Sequence, residues 1–403
     1  MGGPSTASRM LKSLVNRFTP ANDANSADTK PGPDGFLTAT KYGALFTPTD
    51  PAVDGEDCLQ DCANCSINYP KKWSIDEDDK LYGEIRGWSR HLIVATGKTD
   101  WKRDVEDEKH SVMEAIGKHI GQVEGRLMLS ASNIPVPEVA GGHSGPYGEE
   151  RPTTVLLMPS FTYVENVQPT HVPDLIQSVI NTAPTNTTPL DTSSSLSNGS
   201  TGVNNPQDDN APPPSNGNAH SQPNGDSNGN GDVPHTPMPG PPKDLPAGLS
   251  LRACPHKYVI LICSHATRDA RCGQSAPLLR RELERHLRPL GLFRDLGDER
   301  PGGVGIYFIN HVGGHKYSAN MMVYRRAEPR RSVQEQMAND GPDHEVGGKS
   351  NADGEAAQCI WLARIRPEDC ENLVRFTVLQ GKVVKPERQL RGGFDRERGI
   401  ASW

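Results

Sequence analysis

Cys263 and Cys272 lie in Cys-Ser-His-Ala-Thr-Arg-Asp-Ala-Arg-Cys-Gly, and His311 and His315 in Asn-His-Val-Gly-Gly-His-Lys. Two thiolates and two imidazoles brought to one point can hold a soft metal centre. Zinc accepts such a donor set. So does a [2Fe–2S] cluster with a Rieske-like split, both histidines on one iron and both cysteines on the other, at a potential above that of an all-cysteine ferredoxin. The two halves of the set are far apart in sequence and lack the Cys-x-x-Cys knuckle of many zinc sites. The donor types alone do not separate the two metals. A third chemistry is a dithiol of Cys263 and Cys272 working as a thiol–disulfide oxidoreductase, although the gap between them lacks the Cys-x-x-Cys geometry that lowers a thiol's pKa. A zinc-stabilised interaction module is the non-redox alternative.

These donors need elements to position them. Tyr258–Ile262 is a continuous apolar run, as expected of a strand covered on both faces, and Cys263 follows at its end. Ser275 is expected to cap the next helix, with Pro277 in its first turn and Leu279, Leu283 and Leu287 on one face, so that Cys272 returns just before it. Gly305–Ile309 is a second strand, ending at the histidine loop. Gly313-Gly314 lets the backbone turn so that His315 points back towards His311. Met321–Arg325 and Cys359–Ile365 read as further strands, and Pro367 opens a helix with Glu368 and Asp369 in its positive first turn. Arg268, Asp269, Arg271, Lys316 and Tyr317 flank the donors and can tune charge or orient the imidazoles. An imidazole ligand keeps one acidic ring proton, so the potential of a histidine-bound cluster is expected to fall as pH rises.

The chain has 403 residues, of which 34% are apolar and 5% aromatic, with 40 glycines and 35 prolines. Such a composition is not compact throughout. A disordered basic or polar tail is expected over 1–50 and an α/β unit over 51–168, with strands at His91–Ala95, Arg126–Ser130 and Thr153–Met158 around a charged helix near Glu108–Ile120. A low-complexity linker is expected over 169–250. The second α/β unit spans 251–403, interrupted by a polar, Gly-rich insert at 327–357. The net charge of −7 gives no reason to expect nucleic acid as a partner, and no apolar run is long enough for a transmembrane helix. Eight cysteines are too few for a disulfide scaffold and suit a reducing compartment. Arg9, Lys12 and Arg17 among Met10, Leu11, Leu14, Val15 and Phe18 form a weak transit-peptide or membrane-surface pattern, and Met1-Gly2 with Thr6 meets the loose myristoylation pattern.

Cys58, Cys62 and Cys65 match the C-x3-C-x2-C spacing of radical S-adenosylmethionine enzymes, but too little foldable chain follows for the barrel those enzymes need. A loose metal site, a labile thiol cluster or simple surface cysteines are the other readings of this trio. Cys254, Cys359 and Cys370 read as packed thiols. His265, inside the cysteine loop, and His256 are the competing imidazoles.

The cysteine loop, the histidine loop and Ile360–Arg364 together resemble the fungal sucrase/ferredoxin-like family, and within it the actin patches distal branch of thioredoxin-like [2Fe–2S] ferredoxins. The likeness runs through Tyr258–Arg325 and Cys359–Trp403, and more weakly across Cys58–Val164. It implies two thioredoxin-like units, the N-terminal one degenerate, separated by the linker. It implies one [2Fe–2S] cluster on Cys263, Cys272, His311 and His315, and a one-electron carrier or redox sensor with an unknown donor or acceptor protein, more a redox protein than an enzyme. Ala401-Ser402-Trp403 is similar to the C-terminal tryptophan signals read by the cytosolic iron–sulfur assembly machinery. Ala401 replaces the bulkier aliphatic residue usual there, and a packed terminal aromatic is the alternative. The compartment expected is the cytoplasm, with mitochondria as the alternative. Nothing in the chain resembles a glycosidase site.

Overall fold

A computed structural model describes residues 27–136, 152–190, 245, 248–327 and 354–403. The basic amphipathic start, the myristoylation pattern, most of the expected linker and most of the expected insert lie outside the described residues.

Four strands are built mostly of apolar or small residues because the sheet is covered on both faces. These are β3 (Arg90–Ala95), β5 (Thr153–Met158), β8 (Tyr258–Cys263) and β10 (Val304–Ile309), and every residue of each is buried. In the N-terminal half, β3 leads through helix α1 (Val112–His119) to a parallel partner, β4 (Leu127–Ser132). β5 then runs antiparallel to β3, and β6 (Thr162–Val167) antiparallel to β5. The C-terminal half repeats this plan. β8 leads through helix α3 (Ala270–Leu287) to parallel β10, followed by antiparallel β11 (Met321–Arg326) and β12 (Ala356–Leu362). In each half the second strand lies beside the first, then come the third and the fourth.

The halves are not separate bodies. One mixed sheet runs β1 (Thr29–Pro31), β2 (Leu37–Ala39), β14 (Ile400–Ala401), β13 (Leu390–Asp395), β12, β11, β8, β10, β4, β3, β5, β6, β7 (Ser250–Ala253), with β9 (Phe293–Arg294) beside β10. At the seam β10 meets β4 through one ladder pair, Ile309 with Ser132. Two asparagines, each just past its strand, lock the junction reciprocally. Asn310 Oδ1 accepts from Ala131 N at 3.0 Å, and Asn133 Oδ1 accepts from Phe308 N at 2.7 Å. Two buried side-chain amides thus replace the ladder bonds that a short seam lacks.

Three boundaries differ from the sequence reading. Folded chain starts by Thr29 rather than Pro51, because β1 and β2 add to the far edge of the sheet through β14. The segment from 169 to 190, expected as linker, is helix α2 (Val172–Leu175, continued by a π turn at Ile176–Ile180) and an ordered turn. Val172, Leu175, Ile176, Val179 and Ile180 recur at helical spacing and are all buried; the Asn- and Thr-rich composition of the stretch masked this stripe. At the other end of the expected linker, β7 pairs with β6 of the N-terminal half. Finally, α3 begins at Ala270 with Asp269 as its cap, Oδ1 accepting from Arg271 N at 2.9 Å, so Ser275 and Pro277 lie inside the helix. Aspartate caps as well as serine, and it stands six residues earlier.

Candidate metal centre

Cys263 ends β8, buried, its N–H donating to Asn320 O at 3.1 Å. Cys272 sits in the first turn of α3, rather than ahead of the helix, and is buried too. Past β10 and the pinned Asn310, His311 brings Nδ1 to 4.0 Å from Cys263 Sγ. One ligand atom each from Cys263, Cys272 and His311 lie within 4.8 Å of one another. Gly313 and Gly314 both have positive φ, 90° and 69°, and turn the chain so that His315 opens a short 3-10 turn. Its ring centroid is 5.3 Å from that of His311, and the residue is exposed. The fold therefore gathers three of the four expected donors around a buried point and stands the fourth at its rim.

The five flanking residues act on the loops rather than on the donors. Among the described residues, none of them hydrogen-bonds a donor side chain. Arg268 reaches Asp104 at 2.9 Å, Asp269 caps α3 and holds Arg271 at 2.7 Å, and Lys316 pairs with Asp79. Buried Tyr317 donates its hydroxyl to Asp79 at 3.0 Å. Two groups that carry no signal in the sequence brace a donor or its loop. Ser318 Oγ lies 3.8 Å from Cys272 Sγ. Arg391, on β13, donates Nη1 to Gly313 O at 3.0 Å and to Asn320 Oδ1 at 2.8 Å, under a ring of Trp361. A Cβ on Gly314 would meet that guanidinium at 2.8 Å. Arg391 is distant in sequence from both loops, and nothing in its neighbourhood signals the contact.

His265 is excluded as a donor by its own bonds. Its Nδ1 accepts from His311 N at 3.2 Å and its Nε2 donates to Trp101 O at 3.1 Å, so both ring nitrogens are occupied in a buried, neutral ring. Burial lowers its pKa. His256 is committed elsewhere, to Tyr307 at 2.8 Å. The N-terminal half thus grips the cysteine loop: Trp101 holds His265, Asp100 Oδ2 accepts from Thr267 Oγ1 at 2.7 Å, and Thr99 O accepts from Ser264 Oγ at 2.7 Å.

The hydrogen bond between the two thiols, then burial, pushes the Cys263 thiol up, while the same bond together with His311 and Ser318 pulls the Cys272 thiol down. A buried thiol that ionises readily beside an imidazole fits a cation better than it fits an apolar core. The donor set suits a soft metal: thiolates select zinc or iron–sulfur, and imidazole serves both.

Elsewhere, Cys254, Cys359 and Cys370 are buried, and desolvation raises each thiol. Cys58 is buried below Asn372, which donates to its carbonyl at 3.0 Å. Among the described residues it does not join Cys62 and Cys65 in one three-thiol group. Trp403 is half-buried, its ring 4.6 Å from that of Trp88, and its carbonyl accepts from Thr38 Oγ1 at 2.6 Å. Ser402 Oγ accepts from Gly393 N at 3.0 Å.

The sucrase/ferredoxin-like family model matches residues 81–392. The chain belongs to this family. Among curated proteins, this sucrase/ferredoxin-like chain is 52% identical to actin patches distal protein 1 of Saccharomyces cerevisiae over 67 residues, 17% of the chain and 21% of that protein. It is 29% identical to altered inheritance of mitochondria protein 32 of Clavispora lusitaniae over 130 residues, 32% and 33% of the two chains. The Debaryomyces hansenii protein of that name is 27% identical over 129 residues, 32% of the chain and 34% of that protein. The chain thus aligns with about a third or less of the length of these relatives. No solved structure matches it. Among the described residues of this family member, no helix is long and apolar enough to cross a membrane.

Proposed function

We propose that Cys263, Cys272, His311 and His315 hold one [2Fe–2S] cluster and that the protein is an electron carrier or redox sensor. The observation that carries this is the convergence of both sulfurs and one imidazole within 4.8 Å at a buried point, with a second imidazole at the exposed rim. When bound, such a cluster supplies reversible one-electron transfer. The chain's own part is to fix and shield the donors. β8 and α3 hold the sulfurs away from water, Arg391 and the glycine pair set the histidine loop, and His315 leaves an edge where a redox protein can dock.

In this reading each half of the sheet is a thioredoxin-like unit. The shared strand order supports it, and so does the loss of donors in the N-terminal half. There Ala95 occupies the strand-end position of Cys263, and Ile134 the position of His311, one past the matching asparagine. Cytosolic iron–sulfur assembly proteins reading Ser402-Trp403 would have to engage the tail before the ring settles on Trp88. The compartment assigned is the cytoplasm, on the strength of the cysteine usage.

Anaerobic purification with iron, zinc and labile-sulfide analysis tests the proposal. Iron and sulfide in equal amounts, with Rieske-like paramagnetic resonance after reduction, are expected. Cys263→Ala and Cys272→Ala should each lose them; iron retained in both variants overturns the ligand set. A second reading, a thiol oxidoreductase, is favoured by one feature, two close thiols with one in the first turn of a helix. Insulin reduction by the cluster-free protein, abolished in Cys272→Ser, would support it. Zinc in place of iron at Cys263 and Cys272 would support the interaction module.

A further inference from the structure

The Cys58–Cys65 segment packs against the far end of α3, the helix whose first turn holds Cys272. Ligand atoms of Cys62, His286 and Glu371 come within 4.8 Å of one another there, all three side chains half-buried. Three chain segments meet at this point. Cys62 comes from the loop after a short 3-10 turn (Glu56–Leu59), His286 from the last turn of α3, and Glu371 from helix α4 (Cys370–Asn372), which continues as a π turn (Leu373–Val378). The loop is fixed from below, with Cys62 N donating to Glu368 O at 3.0 Å.

A fourth carboxyl or thiol is within reach on two sides. Cys65 completes a Cys-x-x-Cys pair with Cys62, the spacing that zinc knuckles use. Glu282 is fully buried one helical turn before His286, and its Oε1 lies 3.2 Å from His286 Nε2. Its other oxygen, Oε2, is buried with no hydrogen-bond partner. A buried, half-satisfied carboxylate is costly in a fold unless something positive completes its surroundings. The cation seen nearby is Arg285, which meets Glu282 Oε1 at 2.5 Å and Cys62 Sγ at 3.3 Å. Arg285 Nη2 also lies 3.0 Å from His286 Nε2, so a dication binding here takes the place that this guanidinium holds between Cys62 and His286.

We infer that Cys62, Cys65, His286 and Glu371 form a structural zinc site, with Glu282 holding the imidazole. Carboxylate-held imidazoles are the usual surroundings of zinc-bound histidine. Tetrahedral zinc sets its donor atoms about 3.5 Å apart, so binding draws the ligand atoms of Cys62, His286 and Glu371 together and takes Cys65 from its bond to Ile67 O at 3.3 Å. Binding displaces one proton from each thiol and leaves two thiolates on the metal. The site is independent of the proposed cluster and pins the chain before β3 to the C-terminal half.

Metal analysis of the full-length protein from zinc-supplemented cultures tests it. About one zinc per chain is expected beside any iron, surviving dialysis against a weak chelator. Cys62→Ser and His286→Gln should lower zinc at least tenfold and leave iron per folded protein unchanged, whereas Cys263→Ala should do the reverse. Should the loop variants fail to fold, cobalt titration of the Cys263→Ala protein gives a second readout. A thiolate-to-cobalt charge-transfer band that weakens in the further variant Cys65→Ser is expected. Absence of both zinc and that band overturns the inference, as do zinc unchanged in Cys62→Ser and His286→Gln, or a Cys62–Cys65 disulfide in the purified protein.

Discussion

His91 sits in β3 with Nδ1 3.0 Å from the Tyr324 hydroxyl and Nε2 2.8 Å from Ser130 Oγ, fully buried. Burial holds its pKa down at about 3, and that of His256 at about 4. Both rings stay neutral in the folded chain below the pH at which an unfolded histidine takes up a proton. Between those values the unfolded state binds more protons, so stability is full above about pH 6.5 and falls as pH drops towards the folded pKa. For His91 the loss between pH 6.5 and pH 5 should be about 1–2 kcal/mol. Urea unfolding at the two pH values, in wild type and in His91→Gln, should show a shallower dependence in the variant; equal slopes would refute it. At this scale the donors were legible because cysteine and histidine carry their chemistry in their identity. Arg391, Ser318 and Trp101 were not, because their contribution is a position in space reached from distant sequence.

Helix α3 shows what periodicity can and cannot reveal. Its leucine stripe, Leu279, Leu283 and Leu287, was readable and is buried as the spacing requires. Its start was not, since Asp269, Ser275 and Pro277 each carry a helix-start signal and the tertiary setting chooses among them. The choice matters to the proposed cluster, because Asp269 places Cys272 inside the first turn. Asp269→Ala removes the cap and frees Arg271, at a cost of about 1 kcal/mol. The urea midpoint should fall modestly, and iron should be released to a chelator several-fold faster than from wild type. A chelation rate equal to wild type would mean that the cap does not position Cys272. Helix α2 teaches the converse: five apolar residues at helical spacing were present, and the composition around them hid the pattern.

The plan of each half was readable from strand–helix–strand order, but their fusion was not. It depends on two asparagines at a seam and on short strands, β1, β2, β7 and β14, that have too few residues for a period to register. Because β7 belongs to the N-terminal sheet and β2 to the C-terminal one, neither half holds all its own strands. A fragment of residues 248–403 expressed alone should be insoluble or unfold without a cooperative transition. Co-expressed with residues 1–247 it should be recovered as a complex that unfolds in one step. A fragment that folds and unfolds cooperatively by itself would contradict the interleaving. The topology also sets an order in time. The slot between β2 and β13 is filled by Ile400-Ala401 in parallel with Leu37-Thr38, so a nascent chain holds an open sheet edge until translation has passed residue 401. The pocket closes late for the same reason, because Arg391, which holds Gly313 O, is made well after the cysteine and histidine loops that it braces.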